Sequence, residues 1–173
     1  MSPKIIIVYF NVRGVGPPKK LLSLKNIWQN INSNVFIIQE TKCYGIKARI
    51  ILELWLKNWS FCSIGAEGQL GGILSGWSPM CKALSSKMFC STILIKLLVK
   101  YFGFPFLILN IYGPYVDRIP LLDDLDFPCM LNESCILFGE TLTLPSLREN
   151  FGVNFLAWNH KGFSLSLFWN LII

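Results

Sequence analysis

At 173 residues the chain fits one domain and can bury a real core, roughly 70% of its unfolded surface. Hydrophobic residues make up 53% against 15% charged, with mean hydropathy +0.48, so either strands are buried on both faces or a covering element is missing. The net charge of +6 is uneven: residues 1–100 hold 13 Lys/Arg against 3 Asp/Glu and residues 101–173 hold 3 against 7, a bias that suits a polyanionic partner or a solvated face.

The opening run "KIIIVYF" (4–10) is a short apolar stretch bounded by turn chemistry, which predicts a buried strand. It is too short for a signal-peptide core, so an intracellular compartment, nucleus or cytoplasm, is expected rather than secretion. After "NVRGVGPP" (11–18), Leu21, Leu24, Trp28 and Ile31 recur three and four apart on one helical face, with Pro17 or Pro18 in the first turn. "VFIIQ" (35–39) is the next strand and ends on Glu40. Strand, helix, strand at this spacing predicts a βαβ unit with parallel pairing.

"IKARIILELWLKNW" (46–59) carries Ile46, Ile50, Leu54 and a Trp55/Trp59 pair and predicts a second helix. From residue 60 the texture becomes β-like. "FCSI", "GGILSGW", "CKALS", "FCSTILIKLLV" and "FPFLILNIYG" are short runs separated by Gly, Pro and Ser, which predicts sequential antiparallel strands. The apolar stretch 91–112 is long enough to span a bilayer, but Lys96, Lys100 and Pro105 interrupt it, so two strands around "YFGFP" are expected and no stable membrane insertion. "VDRIPLLDDLDF" (116–127) reads as a loop into a short helix, and "CILFG" (135–139) as a further strand. "FSLSLFWNLII" (163–173) is too short for a span and has no assigned role. The six cysteines (43, 62, 81, 90, 129, 135) form no CxxC pair, and with a lone histidine, His160, a structural zinc site has little to work with.

"GVGPPK" is neither a dinucleotide fingerprint, since no third glycine opens the helix, nor a P-loop, since Gly-Lys-Ser/Thr is missing. Position is more informative. Asn11 and Glu40 lie at the C-terminal ends of two strands in one βαβ unit, where ligands of parallel sheets bind. A carboxylate beside an amide oxygen is the hard donor set that Mg²⁺ takes. Taken singly, Asn11 is as well explained as a turn former and Glu40 as a solvated strand end.

"NVRG", "FIIQETK" (36–42), "GGILSGW" (71–77), "LNIYGPY" (109–115) and "CILFGETLTL" (135–144) follow one another in an order that resembles the endonuclease/exonuclease/phosphatase superfamily. The resemblance is greatest to the endonuclease domain of plant non-LTR (LINE-type) retrotransposons and covers residues 4–152, where "ENFG" (149–152) continues it. It implies an α/β fold of two packed mixed β-sheets flanked by helices and incomplete at the C-terminus, with residues 153–173 a divergent apolar tail. It also implies Mg²⁺- or Mn²⁺-dependent phosphodiester hydrolysis on DNA or another nucleic acid. Glu40 and Asn11 would hold the metal, and Asn11, Arg13 and Lys42 would contact substrate. Tyr112 would donate to the scissile phosphate, unless it is only a core aromatic before a Gly-Pro turn.

The departures from the family pattern are specific. Where the family has Gly-Asp-Phe/Leu-Asn, this chain reads Gly139, Glu140, Thr141, Leu142: Glu140 can take the Asp position as a catalytic carboxylate, but Leu142 cannot replace an amide. The family's Ser-Asp-His triplet has no counterpart, and His160 in "AWNHKG" has no Asp beside it and reads as an ordinary surface or loop histidine. An impaired, degenerate and C-terminally truncated copy is expected. The competing readings are a non-catalytic basic nucleic-acid-binding remnant, and a membrane-associated or aggregation-prone product with no evolved role. Missing strands would leave the second sheet an unpaired edge and an apolar face, covered in part by the tail, which predicts self-association.

Overall fold

In the computed structural model, residues 4–15, 18–43, 56–67, 71–89, 91–112, 136–140 and 164–168 are described. Strand β1 (Lys4–Asn11), helix α1 (Pro18–Ile31) and strand β2 (Val35–Gln39) form the expected βαβ unit, with β1 and β2 parallel. Pro18 is the first helical residue, where its missing N–H costs nothing and its fixed φ already suits the helix. The chain continues through β3 (Ser60–Ile64), β4 (Ile73–Trp77), β5 (Cys81–Phe89), β6 (Thr92–Val99), β7 (Pro105–Ile111), β8 (Ile136–Glu140) and β9 (Ser164–Phe168). These strands build one five-stranded sheet in the order β3-β4-β2-β1-β9 and one four-stranded sheet in the order β5-β6-β7-β8.

Both sheets are mixed. In the first, β1 is parallel to β2 and β9, while β4 is antiparallel to β2 and β3. In the second, β5-β6 and β6-β7 are antiparallel and β7-β8 is parallel. The stretch 91–112 is indeed two strands, β6 and β7. No helix among the described residues is long and apolar enough to cross a membrane.

Because side chains alternate along a strand, β1 and β2 serve two cores at once. Ile5, Ile7, Tyr9, Val35 and Ile37 point between the sheets and meet Ile93, Ile95, Leu97, Phe106 and Ile108. Val8, Phe10, Phe36 and Ile38 point the other way and pack with Leu24 of α1, Phe61 and Leu74. This double burial accounts for the unbroken apolar runs and for the high hydropathy. Asn34 ties the turn between α1 and β2 to the sheet: its Oδ1 accepts from Ile6 N–H at 2.8 Å, and its own N–H donates to the Ile6 carbonyl at 2.8 Å.

Two expectations need correction. The second helix was expected to run to Trp59, yet residues 56–59 form a turn, and the remainder of that segment lies outside the described residues. Asn58 takes φ +67°, a left-handed conformation that ends helices, and the redirected Trp59 stacks on Phe36 with ring centroids 5.3 Å apart. The tail was expected to cover part of the second sheet; its described residues, 164–168, form strand β9, which pairs parallel with β1 of the first sheet, Lys4 opposite Ser164 through Val8 opposite Phe168. Cys90, Cys129, Cys135, His160 and the segments 116–127 and 149–152 lie outside the described residues.

Gly76 on β4 faces the ring of Phe36, and a Cβ there would run into it. Phe36 is held by Trp59 on one side and Phe61 on another, so it has little room to yield. Gly76→Ala is expected to cost about 1–3 kcal/mol of stability, read from the urea midpoint.

Burial pushes the Cys81 thiol from its ordinary 9.0 up to about 11. The unfolded thiol therefore ionises first, so this contribution to stability is intact below pH 9.0 and is lost as pH climbs toward 11. Iodoacetamide applied to the native protein near neutral pH should label the half-buried Cys43 and Cys62 before Cys81, as mass spectrometry would show.

Candidate active site

The C-terminal ends of four strands meet at one end of the sandwich. Parallel pairing sets Asn11 of β1 opposite Gln39 of β2, and sets Ile111 of β7 opposite Glu140 of β8. The two pairs are joined across the sheets, since Gln39 Nε2 donates to the Ile111 carbonyl at 2.8 Å. Ligand sites of parallel sheets form at such ends because the chain leaves the ladder there and its polar groups become available.

Asn11 and Glu40 are in direct contact: Asn11 Nδ2 donates to Glu40 Oε1 at 2.9 Å, and both residues are half-buried. The Arg13 N–H donates to Asn11 Oδ1 at 3.3 Å. A backbone N–H can only donate, so this bond fixes which way the Asn11 amide faces.

The meeting of these side chains requires a break in the strand pattern. A continued β2 would give Glu40 the parity of Phe36 and Ile38, which face the helix side. Asn11 has the parity of Tyr9 and Ile7, which face the other sheet. Glu40 adopts φ +55°, and Arg13 and Lys42 adopt +45° and +50°. Each such non-glycine residue costs about 1–3 kcal/mol and persists only where its surroundings dictate it.

Those surroundings are a set of backbone hydrogen bonds. Val12, Gly14 and Val15 donate to the carbonyls of Gln39, Glu40 and Thr41 at 3.0, 2.6 and 3.0 Å, so the loops after β1 and β2 remain laddered. Thr41 and Lys42 donate to Gly72 and Gly71 at 3.1 and 2.6 Å. The two glycines are needed for this approach. A Cβ on Gly71 would lie 2.9 Å from Glu40 Cα, and one on Gly72, itself at φ +71°, would lie 2.5 Å from Thr41 Oγ1.

Arg13 and Lys42, close in sequence to this pair, are exposed, and the aliphatic stem of Lys42 passes Gly14. Tyr112 is half-buried, packs against the core between the sheets, and donates its N–H to the Ser91 carbonyl at 3.0 Å. Glu140 ends β8 beside Ile111.

The sequence reading passed over Gln39, Ser75 and Asn110. Gln39 accepts from the Tyr9 hydroxyl at 2.8 Å and donates to Asn110 Oδ1 at 2.9 Å, and Asn110 Nδ2 donates to Ser75 Oγ at 3.0 Å. A signal was present. Each is a polar residue at an inward position of an apolar strand: Gln39 after Val35 and Ile37, Ser75 between Ile73 and Trp77, Asn110 after Phe106 and Ile108.

The Asn11 amide, expected as a second metal ligand, turns its NH₂ to the Glu40 carboxylate and its oxygen to the Arg13 N–H. As a metal site, the described residues supply that carboxylate, and they contain no group of three or more His, Cys, Asp or Glu. That fits Mg²⁺ or Mn²⁺, which accept hard oxygen donors, and Mg²⁺ commonly keeps several waters beside one or two carboxylates. Glu40 Oε2 lies outside the hydrogen bond to Asn11 and could face such an ion.

No protein-family profile and no curated protein matches the chain. Solved structures do. An endonuclease/exonuclease/phosphatase family protein from Bacteroides thetaiotaomicron is similar over 78% of this chain and 60% of that one, with 10% identity and TM-score 0.58. A mannosyl-6-phosphatase of the same organism gives 79% and 64%, with 10% identity and TM-score 0.59. D. rerio TDP2, solved in complex with a single-strand DNA product, gives 85% and 64%, with 14% identity and TM-score 0.60. The chain thus spans a little under two thirds of the length of these structures. It has the two-sheet fold of the endonuclease/exonuclease/phosphatase proteins.

Gly71→Ala should displace Glu40 by forcing its backbone away from the new methyl. The expected outcome is a loss of about 1–3 kcal/mol in urea together with a shifted side-chain amide signal of Asn11 in a ¹⁵N correlation spectrum.

Proposed function

We propose that this chain is a divalent-metal-dependent phosphodiesterase domain of the retrotransposon endonuclease kind, acting on nucleic acid inside the cell with much reduced catalytic power. The observation that carries this reading is the 2.9 Å contact between Asn11 and Glu40 at the C-terminal ends of β1 and β2. The fold shared with phosphatase and nucleic-acid-processing structures supports it, as does the ordered set of motifs along the sequence.

In this reading Glu40 holds Mg²⁺ or Mn²⁺, with the Asn11 amide fixing its carboxylate. When bound, the metal polarises the phosphoryl oxygens of the substrate. Arg13 and Lys42 hold neighbouring phosphates as exposed cations. The Tyr112 hydroxyl stabilises charge on the scissile phosphate, and Glu140 takes the position of the carboxylate that orients water.

The reduction in rate follows from the residues around Glu140. A glutamate in place of aspartate moves the carboxylate by ~1.5 Å, and misplacement of that order costs about 10²-fold. Leu142 offers no hydrogen bond where the family pattern has an amide.

Nicking of supercoiled plasmid in Mg²⁺ tests the reading. Slow, EDTA-sensitive nicking that disappears in Glu40→Ala is expected, with DNA binding that weakens steeply as salt rises. Nicking that survives Glu40→Ala would reject the site. Salt-dependent binding with no nicking by wild type would select the non-catalytic nucleic-acid-binding reading, which the exposed Arg13 and Lys42 favour.

A further inference from the structure

Gln39 is wholly buried between the two sheets, and both ends of its amide are engaged. Its Nε2 donates to Asn110 Oδ1 at 2.9 Å and to the Ile111 carbonyl at 2.8 Å, while its Oε1 accepts from the Tyr9 hydroxyl at 2.8 Å. The direction of every bond is determined. The Ile111 carbonyl can only accept, so the NH₂ must face it, and Asn110 must then present its oxygen. That leaves the Asn110 NH₂ to donate to the Leu74 carbonyl at 3.2 Å and to Ser75 Oγ at 3.0 Å. β1, β2 and β4 of the first sheet are thereby tied to β7 of the second through two amides.

What these bonds hold is specific. Gln39 is followed at once by Glu40 in its left-handed turn, and Ile111 is followed at once by Tyr112. Apolar contacts between sheets are non-directional and permit sliding, whereas two buried amides bonded at both their oxygen and their NH₂ favour one register.

We propose that Gln39 is the positioning residue of the site: its side-chain amide sets the placement of Glu40 on one sheet relative to Tyr112 on the other. The proposal rests on the phosphodiesterase reading for its purpose, but its geometry is testable without activity. Gln39 acts through its two neighbours.

The test uses the whole chain with Mn²⁺ as probe, free Mn²⁺ being read by electron paramagnetic resonance. The side-chain amide of Asn11 and the backbone amide of Tyr112 are followed by NMR. Gln39→Met keeps the length and removes the hydrogen bonds; Tyr9→Phe removes one hydroxyl and leaves the ring. The expected result is that Gln39→Met shifts both amide signals and weakens Mn²⁺ binding roughly 10- to 100-fold, as loss of a group supporting a metal ligand does. Tyr9→Phe should move the same signals less. Val99→Ala, which trims the same core at the end of β6 remote from Asn110, should leave both signals in place, separating positioning from general loosening. Unmoved Asn11 and Tyr112 signals in folded Gln39→Met overturn the proposal. If that variant does not fold, unmoved signals in Tyr9→Phe overturn it instead. Mn²⁺ affinity that is unchanged in Glu40→Gln overturns the functional reading alone, and the amide signals then decide the role of Gln39 by themselves.

Discussion

In a parallel pair both strands finish on the same side, and β1 and β2 finish with Asn11 opposite Gln39. Much of the molecule depends on that register. It gives Tyr9 and Gln39 a common face, where the hydroxyl reaches the amide, and it leaves Glu40 one residue beyond, free of the ladder. Slipping the pair by one residue would exchange the faces of β2. Gln39 would then enter the core beneath α1, and Phe36 and Ile38 would face the second sheet. A buried amide left unpaired costs about 1–3 kcal/mol for each lost partner, so the polar group acts against the slipped register more sharply than any single apolar residue.

The site joins a soft element to a stiff one. Arg13, Glu40 and Lys42 hold left-handed backbone, yet their segments are stitched to each other and to Gly71 and Gly72 by main-chain hydrogen bonds. Strain kept in place by the backbone does not relax when a side chain moves. The Glu40 backbone is thus held in place, and its carboxylate accepts from Asn11 Nδ2 at 2.9 Å.

Much of this was legible in the sequence where the cause is local. The apolar run of β1, the three-and-four spacing of α1 and the run of β2 are each set within a few residues, and their parallel pairing brought Asn11 and Glu40 together as expected. The expected break around "YFGFP" separates β6 from β7. What escaped was set by distant partners. Gln39 and Asn110 are 71 residues apart, and the apolar strands around them concealed two polar residues whose value appears only when the sheets meet. Trp59 continued a helical pattern, but its stacking on Phe36, with Asn58 in a left-handed turn, won over local spacing. The partner of β9 was equally invisible, because its short alternating run suits an edge position on either sheet.

That placement of β9 has a consequence for synthesis. Residues 4–8 find their partner only at 164–168, so one flank of β1 stays uncovered while almost all of the intervening chain is being made. Loop closure over such a separation is entropically slow to reward, and non-local pairings of this kind form late. The nascent chain must therefore hold a hydrophobic strand with an open hydrogen-bonding side for most of its translation, the form in which chains most readily capture one another or a chaperone. Conditions during synthesis, more than the stability of the finished sandwich, would then govern the yield of folded protein.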